Sequence, residues 1–201
     1  MKTVFLSGSR AISRLNQEIR ERLAGITSQS FQILIGDANG ADKALQGFLK
    51  EKHYSKVTVY CSGGHCRNNV GSWETYSVQV PAGVRGRDFY TQKDRLMAKN
   101  ADYGFVLWDG KSPGSIENVI SLLKDGKSAL VYYSPDKEFV PVSSPSQLKR
   151  LLTRPSLEAL DAIEKKIKLG KLVDELEPRK QKQMSFELPQ FLNGENRIGS
   201  P

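Results

Sequence analysis

A chain of 201 residues fits one domain with a modest appendage, and it has no run of roughly 18 apolar residues that could span a membrane as a helix. Its net charge is +8, with 21 Lys+Arg against 14 Asp+Glu over residues 1–150 and 9 against 8 beyond them. A basic globular part suits phosphorylated small molecules or nucleic acid.

Residues 4–6 read as a first strand, too short for a signal peptide, that ends in Ser7-Gly8-Ser9-Arg10. With only two cysteines in the chain, a cytoplasmic protein is expected. A helical pattern follows at Ile12, Leu15, Ile19 and Leu23, with Gly25 as its expected stop. Residues 31–35 form a second strand, which empties into Gly36-Asp37-Ala38-Asn39-Gly40-Ala41-Asp42. Ala44, Leu45, Phe48 and Leu49 then mark a second amphipathic helix. Residues 57–61 are a third strand, followed by a long irregular passage from 62 to 87 and a helix over 89–100.

The unbroken apolar run Tyr103–Trp108 predicts a strand buried on both faces. It opens into Asp109-Gly110-Lys111-Ser112-Pro113-Gly114-Ser115, and Ile116, Val119, Ile120, Leu122 and Leu123 continue as a helix. Residues 129–133 are the last strand of the regular alternation. Strands and helices alternating at this pitch predict an α/β, Rossmann-like three-layer domain with a mostly parallel sheet, over residues 1–135. A short helical C-terminal extension is expected over 136–169, punctuated by Pro135, Pro141 and Pro145, with a short extra strand at 139–142. The tail, 170–201, is charged and without clear period, and is expected to be mostly disordered.

In open parallel sheets ligands sit at the carboxyl ends of the strands, near the point where strand order reverses. Three loops point there: Gly8, Ser9 and Arg10; the stretch bearing Gly36, Asp37, Gly40 and Asp42; and that bearing Asp109, Gly110, Lys111, Ser112, Gly114 and Ser115. Glycines let a phosphate approach the backbone, and a helix N-terminus offers it free N–H groups. Arg10 and Lys111 supply countercharge, and Arg67 is a further candidate for a phosphate contact. Asp42 reads more readily as a structural cap than as a ligand contact. None of the loops is a G-x-G-x-x-G or P-loop signature, so no redox cofactor or ATP hydrolysis is expected. Cys61, His65 and Cys66 could begin a zinc set. The only other histidine, His53, lies before the third strand, so no metal is expected and Cys61 reads as a buried strand-end residue. Trp73, Tyr76 and Phe89 offer surfaces on which a base could stack.

Four ordered motifs, SGSR, GDANGADKALQ, KDRLMAKNAD and WDGKSPGSIENVISLLKDGK, resemble the SLOG superfamily, in particular its YspA-like branch. The likeness covers roughly residues 1–135 and implies a Rossmann-like sheet that binds a nucleotide or nucleotide-derived ligand. Wider relatives include the cytokinin-activating phosphoribohydrolases (the LOG enzymes), the DNA-processing protein that loads recombinase, and, distantly, the nucleoside deoxyribosyltransferases. The resemblance implies an alternative enzymatic reading, an N-glycosidase or deoxyribosyltransferase acting on a nucleoside phosphate. The phosphoribohydrolase glutamate falls on Asn118 here, with Glu117 one residue earlier. Lys93 stands where those enzymes have an arginine. Asp94, Asp109 and Glu117 are then the candidate catalytic carboxylates. The likeness also implies a homo-oligomer. A third reading is a DNA-associated adaptor. It rests on Gln183-Met184-Ser185-Phe186-Glu187-Leu188, which is similar to the peptides with which bacterial repair proteins bind the sliding clamp.

Overall fold

The structure, a computed structural model, describes residues 1–176. Seven strands form one sheet in the order β4-β3-β2-β1-β5-β6-β7. Strands β1 (Thr3–Gly8), β2 (Gln32–Gly36), β3 (Val57–Ser62), β4 (Glu74–Val78), β5 (Tyr103–Trp108) and β6 (Ser128–Tyr133) pair in parallel. The last, β7 (Glu138–Val142), runs antiparallel to β6. β5 and β6 are buried at every residue, as their apolar runs require of strands covered on both faces.

Helices cover both faces and make three layers, as expected from the alternation. On one face α1 (Gln17–Ser28) and α2 (Ala41–Glu51) pack Ile19, Leu23, Leu45 and Leu49 against Val4, Leu6, Ile33 and Ile35. On the other lie α3 (Gly86–Asn100), α4 (Pro113–Lys124), α5 (Pro145–Leu152), α6 (Leu157–Ile167) and α7 (Leu169–Asp174). They pack Met97, Ile116, Leu148, Ile163 and Val173 over Phe5, Val106 and Trp108. The chain leaves β2, β3 and β4 on one side of β1 and β5, β6 and β7 on the other, so the strand order reverses between β1 and β5. That reversal places a crevice at the carboxyl ends of these two strands.

Three elements depart from the sequence expectation. α1 starts only at Gln17, because the side chain of Asn16 accepts from Ile19 N–H at 3.0 Å and caps the helix there. It also runs through Gly25 to Ser28, so that glycine is not its stop. β4 falls inside the passage expected to be irregular; four of its five residues are exposed at the sheet edge, which removes the apolar signal of a strand. α7 continues the fold into the stretch expected to lack structure, and buries Leu169 and Val173. The extension from residue 136 also supplies β7 at the expected extra strand, completing the sheet. The peptide at residues 183–188 lies outside the described residues. Among those described, no helix is long and apolar enough to cross a membrane.

Candidate ligand site

The first residues of the site belong to the loop after β1. Ser9 ties all three expected loops together. Its carbonyl accepts from Ala41 N–H at 3.1 Å, at the head of α2, and its hydroxyl donates to Asp109 Oδ2 at 2.7 Å, at the end of β5. Asp109 in turn accepts from the N–H groups of Lys111 at 3.1 Å and Ser112 at 2.8 Å, an Asx-type turn that shapes the entry to α4. Gly40 packs on the backbone of Arg10 with φ +80°, a conformation and a spacing that only glycine combines without strain. The cavity enclosed by these loops and by α3 and α4 has a volume of about 620 Å³, within the range of small-molecule sites.

Above the cavity floor lies a buried ionic cluster. Lys93, 2% exposed, donates to Asp94 Oδ1 at 2.6 Å and stands 3.9 Å from Asp37 Oδ1. Arg67 grips Asp37 through Nε at 3.0 Å and a terminal nitrogen at 2.7 Å, and adds its backbone N–H. Asp42 Oδ2 accepts from Ala38 N–H at 3.1 Å, in the loop before α2; the helix has no side-chain cap, so the role of Asp42 is structural, as expected, but it is not a helix cap. Burial opposes the charge on Lys93, but Asp94, Asp42 and Asp37 outweigh it and hold its pKa above the ordinary lysine value. Burial would raise the pKa of Asp37; its bonds from Arg67 and the charge of Lys93 outweigh that and lower it. Three carboxylates face two cations, and Asp42 absorbs the imbalance, its pKa raised by burial to about 6. A side chain at Gly36 would collide with the Asp42 carboxylate and the Lys93 ammonium, so the glycine makes room for the cluster and not for a ligand.

The cavity wall includes Gly8, Ser9, Arg10, Asp42, Arg67, Asp94, Asp109, Lys111, Ser112, Gly114 and Ser115. Gly36, Asp37, Gly40 and Gly110 lie behind that wall, shaping the loops without facing the space. Glu117 is a clear correction. It turns away from the cavity to pair with Arg87 and, at 3.3 Å, with Arg95, leaving Asn118 on the wall in its place. Arg67 reaches the wall with its guanidinium committed to Asp37, so it is no free phosphate contact. The exposed aromatic residue at the cavity is Tyr90, not Trp73, Tyr76 or Phe89: Arg67 Cζ sits 4.3 Å and Arg10 Cζ 5.8 Å from its ring centroid. Trp73 instead donates to the carbonyl of Tyr54, Tyr76 stacks on Tyr60, and Phe89 covers Gly63. Cys61 and Cys66 are joined in a disulfide, which withdraws both sulfurs from any zinc site.

Ser7, Tyr90, Asn118 and Lys166 were not among the residues expected to contact a ligand, yet all line the cavity. A signal for Ser7 existed: it shares a strand face with Phe5, where an apolar residue belongs. Lys166 comes from α6, and no local pattern announces its approach. No protein-family model matches the chain, and no curated protein matches it.

Proposed function

We propose that the cavity binds a nucleotide or nucleotide-derived ligand in the manner the SLOG resemblance implies, with a phosphate on the N-terminus of α4. The observation that carries this reading is a matched set of anion donors. Ser112, the N-cap of α4, makes no side-chain capping bond, so the first-turn N–H groups of Gly114 and Ser115 keep their donors for the cavity. Arg10, Lys111 and Lys166 line the same space, and none of them pairs with a carboxylate among the described residues. Tyr90, flanked by the Arg10 guanidinium, offers a flat surface against which a base fits.

Cleavage of an N-glycosidic bond needs a carboxylate free to act at the anomeric carbon. Asp109 spends its oxygens on three donors and Glu117 faces two arginines. Asp94 is held by Lys93 through one oxygen and is the remaining candidate for an enzyme. A binding module therefore fits the site better. We place the protein in the cytoplasm, where the Cys61–Cys66 disulfide would face a reducing pool. The test is a thermal-shift screen of the full chain against nucleoside mono-, di- and triphosphates, ADP-ribose and NAD, with product analysis of every hit. A ligand at 100 times its Kd adds about 2.7 kcal/mol. An intact hit supports the module, release of free base moves the function to Asp94, and no shift with any compound sinks the nucleotide reading.

A further inference from the structure

Two polar side chains in the cavity wall have nothing to bond. Ser7 Oγ has no hydrogen-bond partner, and its residue is 4% exposed. Asn118, 8% exposed, makes no side-chain hydrogen bond among the described residues. Both line the same space. A buried hydroxyl left unpaired costs about 1–3 kcal/mol, so the Ser7 orphan calls for an explanation. Ser62 Oγ is also without a partner, but it lies at the end of β3, outside the cavity wall. What separates Ser7 from it is a place in the cavity wall, which it shares with the unbonded amide of Asn118.

Their chemistry narrows what completes them. Both groups are neutral, and each can donate and accept. A phosphate is already matched by N–H groups and cations; these two match hydroxyls, which also donate and accept. Their depth narrows it further. Asn118 lies four residues beyond Gly114, about 6 Å along the helix axis and on the same face. Ser7 stands one residue before Gly8, above a floor of Phe5 and Met97. A phosphate on the first turn of α4 therefore has Asn118 one ester linkage and a ring away, at the depth of a sugar and short of a base, with Ser7 in the wall of the same space.

Resting on the nucleotide reading above, we propose that Ser7 and Asn118 form a ribose subsite that bonds the 2′,3′-diol and selects ribonucleotides over 2′-deoxyribonucleotides. Loss of the 2′-hydroxyl returns one buried group to its unpaired state, and sites built to bond a hydroxyl reject the analogue that lacks it.

The test is calorimetric titration of the full chain with ribo and deoxyribo 5′-monophosphates of each base, together with ribose 5-phosphate and 2-deoxyribose 5-phosphate, which carry no base. In every pair that binds, the ribo member should bind at least about tenfold tighter, and Ser7→Ala should bring the pair within about threefold. Ser7→Ala should leave the Tm of the free protein unchanged or higher, since it removes a hydroxyl that has no partner. Asn118→Ala should narrow the same ratio. Equal affinities within pairs in the unaltered protein overturn the diol subsite and leave the nucleotide reading standing. A preference that survives both substitutions overturns the assignment to these residues. No binding by any probe overturns the diol subsite, and the nucleotide reading falls with it when the wider thermal-shift screen is also blank.

Discussion

Lys93 is the buried cation that faces all three carboxylates, and its removal leaves Asp42 and Asp94 without their main countercharge. Replacing it with Met should cost about 3–5 kcal/mol at pH 7, as for other broken buried ion pairs. The loss should shrink at pH 5, where Asp42 takes up a proton; an equal loss at both pH values in urea denaturation would refute this view of the cluster. Asp42 also sets a pH dependence of its own. Its pKa of about 6 in the fold stands above the 3.8 of an exposed carboxyl, so between these values the folded state holds a proton that the unfolded chain has released. The stability it contributes is full below pH 3.8 and is lost as pH rises through about 6. Asp42→Asn should therefore flatten a decline of up to about 1.4 kcal/mol per pH unit in that window. Asp37, whose pKa is lowered, acts in the opposite sense and below the window. The sequence placed Asp42 at the head of a helix, which is local chemistry, although the N–H it binds is that of Ala38 in the loop before it. That it shares a buried cluster with residues 93 and 94 depends on a contact between α2 and α3 across the strand ends, and no local pattern carries it.

At the scale of elements, the turn between β5 and α4 governs how the first-turn N–H groups are presented. Asp109→Ala removes the acceptor for Ser9, Lys111 and Ser112 together, and should weaken binding of a phosphorylated ligand by about tenfold or more, at about 1 kcal/mol per lost bond. Asp109→Asn keeps an acceptor for the two N–H groups and should retain most of the affinity; calorimetry distinguishes the pair. Should the Asn variant bind normally yet abolish cleavage of a bound nucleotide, Asp109 would be catalytic after all. This turn was legible because strand, small-residue loop and helix are contiguous in the chain. β4 was not, since an exposed edge strand of Glu-Thr-Tyr-Ser-Val looks like a loop until β3 is seen to pair with it. The direction of Glu117 was equally hidden, because Arg87 and Arg95 on α3 decide it.

At the scale of the whole molecule, the segment after residue 135 is part of the core. Val142, Leu148, Leu151, Ile163 and Ile167 belong to the same buried cluster as Phe5 and Trp108, and β7 covers the edge of β6. A chain ending at Pro135 should accordingly expose that edge and aggregate on size-exclusion chromatography; a stable monomer would show that the Rossmann-like part stands alone. The alternation of strands and helices made the layers legible, whereas the strand order, which brings β1 beside β5, rests on long-range pairing. The Cys61–Cys66 disulfide ties the end of β3 to the residue just before Arg67. A dithiol reductant would pass two electrons and two protons to this bond, giving two thiols and its own disulfide, and would free residues 62–66 to move. Amide exchange at residues 62–69 should then quicken, and the wall that Arg67 and Tyr90 form should loosen. Through that short covalent ring, reduction should lower the affinity of the cavity for a ligand, and calorimetry with and without reductant measures the change.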